Sequence, residues 1–127
     1  MESSDLATIF RMQRELNDLI VKRKMPNKSL PSAVSAHADP LDPEKAWWLE
    51  KYTQALIHEA VEAQRELPIK WWSTRREYSA TKVSEELIDC LHFLVSAMLM
   101  NGMSADDVMT AYTKKYAVNV NRAESNY

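Results

Sequence analysis

The stretch SEELIDCLHFLVSAMLM, Ser84–Met100, decides the architecture of the chain. From Ile88 to Met100 it is apolar on nearly every side, broken only by Asp89, His92 and Ser96. A helix that is apolar all round belongs in a core rather than on a surface. Glu86 and Asp89 nevertheless enter it three residues apart, a spacing that makes side chains neighbours on one helix face. An unpaired carboxylate among apolar side chains costs several kcal/mol, so each acid needs a cation or a donor. No Lys or Arg lies within Ile88–Met100. Earlier in the chain a second pair, Glu59 and Glu62, repeats the spacing. Four carboxylates in two i, i+3 pairs on two apolar helices read as a divalent-metal site.

The rest of the composition agrees with a helical protein. The chain has 127 residues, the length of one domain with a modest core, and residues 1–127 are read as that single domain. Hydrophobic residues make up 46% and charged residues 27%, the balance of an ordinary globular chain. It has a single glycine, Gly102. Hairpins, tight turns and phosphate-cradling loops lean on glycine, so helices with few connections are expected and a Gly-rich phosphate loop is excluded. A net charge of −2 gives no nucleic-acid footprint. The one cysteine, Cys90, lies in the apolar stretch, where an inert thiol in a reducing compartment is expected. No run is long and apolar enough for a membrane span, and the N-terminus lacks a basic leader, so a cytosolic protein is expected.

Taken in order, Asp5 to about Lys24 forms a first helix with Leu6, Ile9, Phe10, Gln13, Leu16, Asn17 and Ile20 on its inward face. Gln13 and Asn17 lie four apart within that apolar stripe. They either solvate its edge or recognise a group that has both donors and acceptors, such as a nucleobase edge. Met25 to Asp42 is irregular, kept out of helix by Pro26, Pro31 and Pro40, and its His37 has no ligand-like spacing to another His or Cys. Asp42, Pro43 and Glu44 then start a helix expected to run to about Leu67, before Pro68. Its stripe begins aromatic, with Trp48 and Tyr52, and ends acidic, with Glu59 and Glu62. Trp47 and Trp48 read as packing anchors.

Pro68 to Ser79 holds Lys70, Trp71, Trp72, Arg75 and Arg76, either a helix-end anchor with solvated charges or a cluster suited to phosphates and a flat ring. The central helix starts near Ser79–Thr81 and stops at Asn101-Gly102. Ser104 and Asp107 make a capping box for a last helix carrying Val108, Ala111, Tyr112 and Lys115. The elements make an all-α bundle of four to five helices, apolar enough to be completed by a homodimer.

Carboxylate oxygens without sulfur select Mg²⁺, or Mn²⁺ in its place. Magnesium shares its shell with phosphates, so the implied chemistry is attack of an activated water on phosphorus, with one carboxylate positioning or deprotonating that water. His92, one turn beyond Asp89, is either a satisfied core histidine or a group that supports the metal ligands or touches the base.

His58-Glu59-Ala60-Val61-Glu62, followed by Glu86-Leu87-Ile88-Asp89, resembles the EExxE…ExxD pattern of the all-α (MazG-like) nucleoside triphosphate pyrophosphohydrolases. Within that superfamily the dimeric dUTPase family is the nearest likeness. Met12–Asn17 resembles its base-binding helix, Lys70-Trp71-Trp72 its KWW element, Glu86–Phe93 its ExxDxxHF element, and Lys115, Asn119, Arg122 and Tyr127 its tail. The resemblance implies Mg²⁺-dependent hydrolysis of dUTP to dUMP and pyrophosphate in a homodimer. It implies Glu59, Glu62, Glu86 and Asp89 as metal ligands, with Glu59, or else Glu62, orienting the water. Gln13, Asn17 and Trp71 would face uracil and deoxyribose, and Lys70, Lys115, Asn119 and Arg122 the phosphates or sugar. His58 stands where the pattern has its first Glu, and Tyr116 and Asn126 replace its usual Asn and Gly. Two other readings stay open: the same fold acting on dCTP, dGTP or a modified nucleotide, and a non-catalytic helical interaction protein.

Overall fold

A computed structural model describes residues 4–28, 30, 42–74 and 77–125. His37, Arg75, Arg76, Asn126 and Tyr127, and most of the Met25–Asp42 segment, lie outside the described residues. Four helices are described, α1 (Asp5–Lys24), α2 (Pro43–Arg65), α3 (Ala80–Met100) and α4 (Ala105–Glu124), and no strand is found among the described residues.

Each helix begins where a side chain can satisfy an orphan backbone N–H. Ser4 Oγ accepts from Ala7 N at 3.0 Å, Asp42 Oδ1 from Glu44 N at 3.1 Å, and Ser79 Oγ from Lys82 N at 3.3 Å. At α4 the capping box is reciprocal: Ser104 Oγ accepts from Asp107 N, and Asp107 Oδ2 accepts from Ser104 N. The helix ends are equally specific. α2 stops at Arg65, two residues short of the expected Leu67, because the residue before Pro68 is steered away from helical backbone. α3 ends in a Schellman motif, with Gly102 N bonded to Leu99 O and Met103 N to Met98 O. Gly102 supplies the positive φ, 80°, that this motif needs.

The helix directions follow from their contacts. Gln13 bonds His92 and Asn17 bonds Ser96, each across 79 residues. Val21 and Met100 continue the series within one apolar cluster. A constant separation means that α1 and α3 run parallel. α2 runs the other way: its early residue Trp48 meets Met100 at the end of α3, and its later Glu59 meets Glu86 near the start. α4 leaves α3 at a bend of 104° and packs chiefly on α1.

Two small clusters hold these helices together. Phe10, Val95 and Ala105 join α1, α3 and α4; Val21, Trp48 and Met100 join α1, α2 and α3. Trp48 stacks on Tyr52 at 5.7 Å and meets Trp47 edge-on at 5.0 Å, so the tryptophan pair anchors packing as expected. Burial, and then the charge of Asp18, pushes the Tyr52 hydroxyl up to about 12, so it stays neutral at physiological pH. The buried face of α1 is Phe10, Gln13, Asn17 and Val21; Ile9, Leu16 and Ile20, expected inward, are exposed.

The larger departure concerns α3. Only Val95, Ser96, Ala97 and Met100 are buried, whereas Leu87 and Ile88 are more than half exposed. α1 and α2 cover two sides of the helix, and α4 turns away instead of covering a third. An all-round apolar helix therefore keeps an open face in a single chain. Among the described residues, no single helix is long and apolar enough to cross a membrane.

Because Phe10 is 5% exposed and ties three helices together, Phe10→Ala should cost about 3–5 kcal/mol of folding free energy. Equilibrium denaturation at fixed protein concentration checks this, and a loss below about 1 kcal/mol would contradict the assignment of the core.

Candidate active site

The antiparallel packing of α2 on α3 brings acids from both helices to one place. Glu59, Glu86 and Asp89 each offer a carboxylate oxygen, and the three lie within 4.8 Å of one another. Glu59 and Glu86 stand close enough for one carboxyl to donate a hydrogen bond to the other. Two carboxylates can share such a bond only when one of them carries a proton. Partial burial, that hydrogen bond and the charges of Glu59, Asp89 and Glu62 accordingly hold the Glu86 carboxyl above its ordinary range. Burial and the charges of Glu59, Asp89 and Glu86 push the Cys90 thiol up as well, so it is protonated and unreactive at neutral pH.

Of the four acids singled out in the sequence, Glu62 is placed differently. Its Oε1 accepts from Arg65 Nη1 at 3.1 Å and lies 3.6 Å from His58 Nε2. Both partners sit on the same helix at i+3 and i−4, a local pattern that competes with convergence on the cluster. Its charge still reaches Glu86. The cluster itself comprises three acids.

The two amides of α1 are buried, and neither solvates an edge. Gln13 Nε2 donates to Asn17 Oδ1 at 2.9 Å, and Asn17 Nδ2 donates to Ser96 Oγ at 3.0 Å. Ser96 Oγ donates to the His92 carbonyl at 2.7 Å, and His92 Nδ1 is hydrogen-bonded to Gln13 Oε1. Ser96 had no assigned role in the sequence beyond interrupting the apolar run. Its place four residues after His92 was the available signal. Beside this network a groove of about 480 Å³ opens between α1 and α3, lined by Ile9, Met12, Gln13, Leu16, Ile88, Leu91 and His92. α3 thus carries Asp89 toward the acids and His92, one turn on, toward the groove.

The remaining residues lie farther out. Lys70 and Trp71 follow α2 in an exposed turn, where Trp71 is 82% exposed and meets Trp72 edge-on at 5.6 Å. Lys115, Asn119 and Arg122 form an exposed stripe along α4. None of these five lines the groove or belongs to the acidic cluster.

The oxygen donors suit a hard divalent cation. Opposite ligands of an octahedral Mg²⁺ lie about 4.2 Å apart, so oxygens already within 4.8 Å need only small side-chain adjustments to share one. An all-helical protein with a carboxylate cluster beside an apolar groove has the makings of a nucleotide-hydrolysing enzyme. A family model described as dUTPase matches residues 5–101, and the chain belongs to that family. The matched span includes all three acids, Glu62, Gln13, Asn17, Lys70, Trp71 and His92, and ends before α4. No curated protein and no solved structure matches the chain.

The raised Glu86 carboxyl gives a pH signature in metal-free protein. It binds its proton more tightly folded than unfolded, so its stabilising contribution is complete below the ordinary value of 4.5 and is lost as pH rises through the raised value. With chelator present, the Tm of the wild type should fall across this rise relative to Glu86→Gln, leaving the variant the more stable at pH 7. Parallel calorimetric profiles for the two proteins would contradict the clustering of the acids.

Proposed function

We propose that the protein hydrolyses dUTP to dUMP and pyrophosphate and that it acts as a homodimer. The observation that carries this reading is the joining of the two halves on α3: acids suited to a phosphate-bound cation, and one turn on, a groove with polar groups at one wall. Membership of the dUTPase family supports it. Glu59, Glu86 and Asp89 are the residues that would hold Mg²⁺, or Mn²⁺ in its place. When bound, such an ion neutralises charge on the phosphate chain and lowers the pKa of water.

The chain's own groups do the rest. Water attacks the triphosphate, the α–β anhydride bond breaks with its electron pair leaving on pyrophosphate, and a carboxylate takes the proton from the water. Glu59 is assigned that proton, because its oxygen faces the cluster while Glu62 is engaged by Arg65 and His58. Glu62 then acts on the cluster through its charge. Gln13 and His92 meet the edge of the base, with Asn17 behind them, and the aliphatic wall of the groove excludes water from its faces. Lys70, Trp71, Lys115, Asn119 and Arg122 reach neither the groove nor the acids within one chain; in the proposed dimer they would meet phosphates, sugar or base from the second copy.

The dimer is supported by what one chain leaves uncovered. Outside the groove, Leu19 and Ile20 of α1 and Leu87 and Leu94 of α3 are exposed. A second copy of the same surface is the self-complementary cover that twofold symmetry provides.

A panel of deoxynucleoside triphosphates with pyrophosphate detection tests the activity. dUTP should be turned over fastest, chelator should abolish turnover, and Glu59→Gln should lose about 10²–10⁴-fold in kcat. dUTP among the slowest substrates, or wild-type turnover by Glu59→Gln, would refute the reading. Light scattering tests the assembly separately: a dimer of the 14.7 kDa chain is expected, and a stable monomer at micromolar concentration would contradict it.

A further inference from the structure

Ser96 is the most deeply buried polar side chain among the described residues, 1% exposed, and its hydroxyl touches two groups. It lies 2.7 Å from the His92 carbonyl oxygen and 3.0 Å from Asn17 Nδ2. A serine hydroxyl has one hydrogen. A carbonyl has none, so at 2.7 Å that hydrogen must lie between the two oxygens. Toward Asn17, Ser96 Oγ can then only accept.

This single assignment propagates outward. Asn17 must present its NH₂ to Ser96, which turns its Oδ1 toward Gln13. Gln13 must present its NH₂ to Asn17, which turns its Oε1 toward His92. Oε1 is purely an acceptor, so the hydrogen in the Gln13–His92 bond sits on His92 Nδ1. In the neutral ring Nε2 is then an acceptor. A chain of two amides and an imidazole satisfies itself equally well with every dipole reversed; only the hydroxyl at its end distinguishes the two directions.

We infer that Ser96 is a positioning residue that fixes the hydrogen-bond polarity of the groove wall, and with it the choice of pyrimidine. The inference rests on the proposed nucleotide activity for its second half only. With Ser96 in place, the groove meets a base with an acceptor, His92 Nε2, and a donor, the second amide hydrogen of Gln13. Uracil offers a matching donor, N3–H, beside an acceptor, O4. Cytosine offers an acceptor at N3 and a donor at N4, so two acceptors meet and two donors meet. Reversal of the chain would exchange these preferences.

Two measurements test this. Long-range ¹H–¹⁵N spectra of the ligand-free protein read the His92 tautomer directly, with the resonance assigned by its loss in His92→Phe. Wild type should show the Nδ1–H form, and Ser96→Ala should show both forms or the Nε2–H form. Ser96→Thr, which retains the hydroxyl, should restore the wild-type pattern. In steady-state kinetics, the dUTP to dCTP ratio of kcat/KM should fall about tenfold or more in Ser96→Ala, chiefly through KM. Loss of stability alone would not move a tautomer or exchange one base for another. Wild-type protein in the Nε2–H form, or Ser96→Ala with an unchanged tautomer, overturns the positioning role even if the variant is poorly folded or the protein proves inactive. An altered tautomer with unchanged base preference overturns the specificity half. Wild type inactive on dUTP, with the tautomer as expected, sinks the activity and leaves the polarity assignment standing.

Discussion

Glu59, Glu86 and Asp89 repel one another, and the packing of α2 on α3 holds them together against that repulsion. Two long helices carrying buried aromatic and aliphatic residues supply the force. Like charges that cannot move apart must take up a proton or a cation, and the raised Glu86 carboxyl is the first of those responses. Folding alone gives no reason to keep three acids at such a place. The proposed cation, with the phosphates it would neutralise, supplies one.

The second constraint is the polar chain that ties α1 to α3. Apolar contacts alone would tolerate slippage between two parallel helices, whereas Gln13–His92 and Asn17–Ser96 can form only in one register. No buried side-chain polar atom among the described residues lacks a hydrogen-bond partner. A fully satisfied buried network of this kind specifies geometry more than it adds stability. Gln13 and His92, two of the groups that set the register, also line the groove, so the alignment of α1 and the proposed recognition edge share residues. Asp89 and His92, one turn apart on α3, fix the distance between the groove and the acids.

Features written in local chemistry were legible in the sequence. The caps at Asp42, Ser79 and Ser104 and the stop at Gly102 depend on residues within a few positions, and the structure has them where expected. The pairing of Glu86 with Asp89 on one face was legible for the same reason, since i, i+3 spacing fixes a face, whereas Glu59 meets them only through the packing of α2 on α3. Burial was not. The apolar character of Leu87, Ile88 and Leu91 predicts a covered helix, but coverage depends on where α4 goes, and no local pattern encodes its 104° departure. Glu62 was assigned to the cluster on its spacing and on the family resemblance; Arg65 stands at equally good spacing and holds it. Ser96 could not be placed until α1 was set against α3, because its role lies in a contact across 79 residues. Lys115, Asn119 and Arg122 lie beyond the span matched by the family and on a helix that reaches neither the groove nor the acids in one chain.

The proposed activity therefore stands on a cation shared by acids from two helices. Anomalous diffraction from a crystal soaked in Mn²⁺ examines that directly. A peak about 2.1–2.2 Å from oxygens of Glu59, Glu86 and Asp89 together is the result expected. Density that avoids these three residues at saturating Mn²⁺, or that is held by Glu62 with Glu59 and Glu86 turned away, would contradict it.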